Sequence, residues 1–156
     1  MVTMRNQALT RLFHCTFSLN YELVIMTHAQ RQCLTSDILR SLEAQARERC
    51  RAWGGELLSM VGEGDHMRLQ VSLPPSVALA DFVNALKTGT SRRLRNEFGP
   101  HLARFYSDTV LWARHYCAVT TGADSQSAIS LYIQATRARK AQSQSPHDSA
   151  AASPST

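Results

Sequence analysis

The sequence predicts an α+β fold: a ferredoxin-like (RRM-like) antiparallel sheet with helices on one face, plus one more helix at the C-terminal end. Three observations predict it. The elements read in the order strand, helix, strand, strand, helix, strand, helix, which suits a split βαβ unit. Residues 66–73 alternate, with Met67, Leu69, Val71 and Leu73 against His66, Arg68, Gln70 and Ser72, the period of a half-buried strand. The first long helical pattern places its apolar residues on one side, as a helix packed on a sheet requires.

Taken in chain order, residues 1–15 read as a flexible leader. Residues 17–27 contain Leu19, Tyr21, Leu23, Val24 and Ile25 and read as a strand. Thr35, Ser36 and Asp37 offer caps for a helix over 36–52, whose apolar side is Ile38, Leu39, Leu42, Ala46 and Cys50. Gly54-Gly55 ends it. Residues 56–61 read as a strand, 62–65 as a turn and 66–73 as its hairpin partner, stopped by Pro74-Pro75. A second helix is expected over 77–97, with Leu79, Phe82, Val83, Leu86 and Leu94 inward. Arg92 and Arg95 fall on its opposite side, flanked by Lys87 and Arg93, and Gly89 weakens its middle by roughly 1 kcal/mol relative to Ala. Leu111-Trp112 and 116–120 suggest a strand. Gly122 opens a loop, Ser125 or Ser127 can cap, and a third helix is expected over 126–139. The domain thus runs over 16–139, and the Ser, Ala, Gln and Pro of 140–156 read as a disordered tail.

The 156 residues carry a formal charge of +5, and fifteen of the 17 basic residues are Arg. Arginine binds phosphate bidentately, so the balance favours a polyanionic partner. Cys15, Cys33, Cys50 and Cys117 are scattered with no C-x-x-C pair, which argues against zinc and reads as buried free thiols in a reducing cytoplasm. No secretory signal opens the chain, and no segment approaches the roughly 18 apolar residues that span a membrane.

The run from Gly62 to Pro75, with Asp65, His66, Arg68 and Leu69 inside it, resembles a block G-E-x-D-H-x-H-L-L-V-x-x-P-P. Leu86-Lys87 and 91–95 resemble L-K-G-x-S-S-R-x-L-R, Leu111-Trp112 with Tyr116 resembles L-W-S-x-x-Y, and Tyr132-Ile133 resembles Y-I-x-x-Q. Tyr21 to Val24, Arg31 and Leu34-Thr35 fit the opening strand and turn. These blocks, in order over about residues 17–139, resemble those of the single-tyrosine HUH transposases of the insertion-sequence 200/605 type.

The resemblance implies a protein that cuts single-stranded DNA beside a hairpin at the ends of a mobile element and joins the ends elsewhere. It implies Tyr132 as the nucleophile, forming a 5′-phosphotyrosine, and Mg²⁺ or Mn²⁺ held by two histidines of one strand face and a glutamine. It also implies DNA contacts from Lys87, Arg92, Arg93, Arg95 and Arg31, and a homodimer in which the tyrosine helix can serve the partner's site, with residues 122–125 as the hinge.

His66 keeps the first histidine position, but Arg68 stands at the second and Thr136 at the glutamine position. Gln134 does not replace the glutamine, because i+2 on a helix points about 200° away. A single imidazole suits Mg²⁺ poorly. A cation at 4 Å costs a unit charge about 4 kcal/mol at an effective dielectric of 20, and a divalent ion twice that. Arg68 therefore reads either as a substitute cation for the scissile phosphate or as decay of the motif. Asp65 reads as closing a turn rather than as a base. The alternatives to an active strand transferase are a non-catalytic DNA-binding remnant or regulator and, from another class, an RNA-binding module. Strand 66–73 lacks the aromatic platform expected of the last.

Overall fold

The computed structural model of the protein describes residues 9–143. Its centre is strand β3 (Asn20–Thr27), buried from Glu22 to Thr27. A run buried at every position means both faces are covered, and they are. Leu23 and Ile25 join the larger core with Met67, Leu69, Phe82 and Leu86. Val24 and Met26 point the other way, onto Ala113 and Ile129.

Ahead of β3, β1 (Thr10–Arg11), within the stretch expected as leader, pairs antiparallel with β2 (Thr16–Phe17), just after it. Helix α1 (Ser36–Ala52) begins at Thr35, whose side chain accepts from the Ile38 amide at 3.3 Å; of the three possible caps this one is used. Gly54 has φ +79°, the left-handed conformation that ends a helix. Strands β4 (Glu56–Glu63) and β5 (His66–Ser72) form the expected hairpin. Their ladder reaches the tip, with Glu63 opposite His66, because Gly64-Asp65 alone makes the turn.

Helix α2 (Leu79–Leu102) runs five residues past its expected end, with non-helical φ/ψ at Phe98 ahead of Pro100, which has no amide hydrogen to donate. Gly89 faces the Arg49 guanidinium of α1, which fills the space a side chain there would take. Among the described residues, strand β6 (Trp112–Thr120) pairs only with β3. Helix α3 (Ser125–Ser143) continues beyond the expected residue 139, and the remaining expected tail lies outside the described residues.

The sheet order β4-β5-β3-β6, with every pair antiparallel, is the ferredoxin-like topology. Helices α1 and α2 cover the face carrying Leu23 and Ile25. Helix α3, with Tyr132 and Ile133 against the smaller cluster, covers the opposite face. No helix among the described residues is long and apolar enough to cross a membrane. Cys33 and Cys50 are buried, whereas Cys15 is exposed and Cys117 half-buried, so the reading of all four as buried thiols holds for two.

Candidate functional site

The α3-facing side of the sheet collects most of the chemistry. Because β5 is a strand, His66, Arg68 and Gln70 share one face. His66 Nδ1 lies 2.7 Å from Oδ1 of Asp65, a pairing that fixes the orientation of the ring. Asp65 is no mere turn residue: its carboxylate is almost fully buried and also accepts from Arg137 of α3, Nε at 3.2 Å and Nη2 at 3.1 Å. Burial opposes ionisation of Asp65, but the hydrogen bonds from Arg137 and His66 outweigh it and hold the carboxyl below its ordinary pKa.

Arg68 is turned to structural use. It donates to Glu22 of β3 at 3.2 Å and to Gln126 at the start of α3. Glu22 is itself buried, and the Ser125 hydroxyl lies 3.3 Å from its other oxygen. The guanidinium is therefore neutralised by a carboxylate across the sheet, unlike a cation waiting for phosphate. Thr136, at the glutamine position, is buried with its hydroxyl donating back to the Tyr132 carbonyl at 2.9 Å.

Of the three ligand positions, only His66 offers a donor atom suited to a divalent ion. Glu63, Asp65 and His66 bring ligand atoms within 4.8 Å of one another. The Arg137 guanidinium already spans both carboxylates, reaching Glu63 at 3.3 Å, so a cation is in place there. The residues present do not fit the family's metal.

Tyr132 projects from α3, half-exposed, toward β6 rather than β5. Its hydroxyl lies 2.5 Å from Nδ1 of His115. Strand β3 stands between: His66 pairs with Met26, and on the other side of β3 the ladder to β6 is irregular between Ile25 and Thr27, opposite His115. Two strand spacings, about 10 Å, therefore separate the backbones of His66 and His115. Burial, then Lys87 and Arg139, lower the His115 pKa, so its imidazole is neutral at pH 7. Burial chiefly raises that of Tyr132, so the proton rests on the phenol.

Around the edge of β6 lies a groove of about 460 Å³ lined by Lys87, Ser91, Arg92, Arg95 and Trp112 among others. Lys87 Nζ donates to the carbonyls of Ala113 (2.6 Å) and Arg114 (3.2 Å), two residues on the unpaired edge of the sheet. The Trp112 indole donates to Thr90 at 3.0 Å, fixing the groove wall. None of the ion pairs among the described residues involves Lys87, Arg92 or Arg95, and Arg95 Nε is buried without an acceptor. Two expected DNA contacts lie elsewhere. Arg93 is committed to Glu97 (3.0 Å) and to Glu48 of α1 (3.2 Å). Arg31 donates to the Phe105 carbonyl and stacks on Tyr106, 5.4 Å from the ring centroid.

The structure thus brings together Lys87, Arg92 and Arg95, and separately His66 and Arg68 on one face. It places Tyr132 with His115, a residue the sequence reading missed along with Glu22, Arg137 and Arg139. The signal for His115 was present: Ala113, His115 and Cys117 alternate on β6, and that side faces α3.

Residues 15–136 match the family model described as "Transposase IS200 like". The ISDra2 transposase TnpA of Deinococcus radiodurans is 29% identical over 118 residues, covering 76% of this chain and 84% of the relative. The transposase for insertion sequence element IS200 of Salmonella typhimurium is 25% identical over 111 residues, covering 71% and 72%. Among solved structures, a transposase candidate from Deinococcus radiodurans R1 superposes with a TM-score of 0.74 at 27% identity, covering 81% of this chain and 96% of that one. A REP-associated tyrosine transposase bound to a REP hairpin shares the fold at a TM-score of 0.51 and 12% identity, covering 84% and 74%.

Proposed function

The chain belongs to the IS200-like transposase family, and from that premise we propose that it binds hairpin-bearing single-stranded DNA at the ends of a mobile element. In this reading Tyr132 attacks a phosphodiester, forming a 5′-phosphotyrosine and releasing a 3′-hydroxyl. The new ester keeps the bond energy, so rejoining needs no nucleotide cofactor. The observation that carries the reading is the groove between α2 and β6, where Lys87, Arg92 and Arg95 have no carboxylate partner among the described residues. Cations left unpaired beside a strand edge suit a phosphate backbone, which also makes binding salt-dependent. A neighbour in fold is bound to a DNA hairpin, which supports the class of ligand. The protein acts in the cytoplasm as a homodimer, with residues 122–125 as the hinge of the tyrosine helix.

A second reading, a DNA-binding remnant or regulator without cleavage, is favoured by one observation: Arg68 is paired with Glu22 and Thr136 with its own helix, so the family's ligand set is absent. One gel separates the two. Labelled hairpin DNA incubated with the wild type gives a covalent protein–DNA band that Tyr132→Phe does not form. A retarded but never covalent complex supports the remnant, and no preference for the hairpin over a random duplex refutes both.

A further inference from the structure

The reading of Tyr132 as nucleophile leaves open where the phosphate sits, because His66 and Tyr132 are separated by a strand. Resting on that reading, we propose that the reacting phosphodiester binds at the Tyr132–His115 pair, held by Lys87 and Arg139, with His115 accepting the tyrosine proton and no metal ion involved.

The charges around the two histidines differ in sign. Beside His66 stand two carboxylates, Glu63 and Asp65, against the single guanidinium of Arg137, an arrangement that disfavours a phosphodiester. His115 meets the Tyr132 hydroxyl of α3, Lys87 of α2 and Arg139 of α3 are the charged groups that act on it, and Cys117 shares its face of β6. No carboxylate is among them. Lys87 Nζ sits on the Ala113 and Arg114 carbonyls, next to His115 in the chain, and Arg139 lies two turns along α3 from Tyr132 on the same side; neither cation takes part in an ion pair among the described residues.

The position also connects to the DNA groove. Lys87 reaches around the free edge of β6 to the Ala113 and Arg114 carbonyls, the residues just before His115. Two of its three N–H donors are used there, and the third remains for a phosphate oxygen. A single strand lying along Arg92, Arg95 and Lys87 passes over that edge and arrives at the tyrosine. His115 and Arg139 are both exposed, so the strand can reach them.

The step balances without a co-reactant. The neutral Nδ1 lone pair of His115 takes the proton from the Tyr132 hydroxyl as the phenolic oxygen bonds to phosphorus. The bond from phosphorus to the 3′ oxygen breaks, and that oxygen leaves as a hydroxyl with the proton that His115 returns. Lys87 and Arg139 stabilise the charge that builds on the non-bridging oxygens, the part a metal plays in the family.

The test uses the full chain, labelled hairpin DNA and excess EDTA. Wild type is expected to form the covalent product in EDTA. His115→Gln keeps an acceptor for the hydroxyl but cannot carry the proton, and is expected to slow the step by about 10²–10⁴-fold with unchanged affinity. It should also abolish the acid limb of the pH–rate profile, a limb that a merely structural histidine would leave in place. Product that appears only with Mg²⁺ or Mn²⁺, at equal rates in wild type and His115→Gln, overturns this site while leaving Tyr132 as nucleophile. If no product forms under any condition, that reading of Tyr132 fails and affinity decides the phosphate site. Lys87→Gln with Arg139→Gln must then weaken hairpin binding and reduce the slope of log K against log salt by about 1.4, two contacts on a single strand. An unchanged slope overturns the site.

Discussion

Arg68 on β5 reaches across to Glu22 on β3, 3.2 Å away, at the position where a second histidine would face a metal. Both are largely buried, and the Ser125 hydroxyl and Gln126 complete the cluster. Restoring the motif therefore removes a structural pair. Arg68→His is expected to destabilise the protein by about 1–3 kcal/mol, since it strands the Glu22 carboxylate. A shift of roughly 3–5 °C per kcal/mol makes this visible in calorimetry. Adding Glu22→Gln should recover most of it. An unchanged melting temperature in Arg68→His would show that the pair carries no weight.

The pattern of what was legible follows from the same contacts. The alternation of β5, the amphipathic α1 and the basic side of α2 are periodic, and periodicity is a local property that residues announce in order. Glu22–Arg68, Asp65–Arg137 and His115–Tyr132 are pairings across 46, 72 and 17 residues, and nothing local marks them. Asp65 looked like a turn former because it is one; that its carboxylate also orients His66 depends on α3 lying overhead. The ends of β4 and α2 were missed for a related reason. A two-residue turn lets pairing continue to Glu63, and helix resumes past the break at Phe98 because Leu102 is buried in the core.

Asp65 gives a pH prediction. Its folded pKa lies below the ordinary value of about 3.9, so it contributes stability that is present above that pH and is lost as pH falls through the folded value. Asp65→Asn should lower the unfolding free energy at pH 7 and flatten its decline on the acid side. Urea melts at pH 7, 5 and 3 measure this. Parallel losses in wild type and variant across that range would assign the acid sensitivity to other carboxylates.

The groove predicts which arginines meet DNA. Changing Arg92 and Arg95 together to Ala should weaken hairpin binding and reduce the salt slope by about two contacts' worth. Arg93→Ala should leave the slope alone, because its guanidinium is held by Glu48 and Glu97. Fluorescence anisotropy between 50 and 200 mM salt, roughly the range over which counterion release is readily seen, compares the variants. A slope that falls for Arg93→Ala and not for the pair would move the binding face to the α1 side.

Helix α3 is held to the sheet by little apolar surface. Its only fully buried hydrophobic side chain among the described residues is Ile129, set against Val24, Met26 and Ala113. Beyond the partly buried Tyr132 and Ile133, the other attachments are polar: Arg137 to Asp65 and Glu63, Ser125 to Glu22, Gln126 to Arg68, Lys140 to the Gln30 carbonyl at 3.4 Å, and Tyr132 to His115. Such an element opens locally at lower free energy than the core beneath it. Ile129→Ala should therefore raise amide exchange over 125–143 while β3 and β5 stay protected, and Arg137→Ala should do so at its C-terminal half. A helix that detaches at its hinge can dock on a second copy, and light scattering at micromolar concentration should show a dimer. Dimer in wild type but monomer in Ile129→Ala would place α3 in the interface. Monomer in both would confine the tyrosine to its own sheet, where His115 is the group it meets. Global rather than local loss of protection in Ile129→Ala would show that α3 is part of the cooperative core after all.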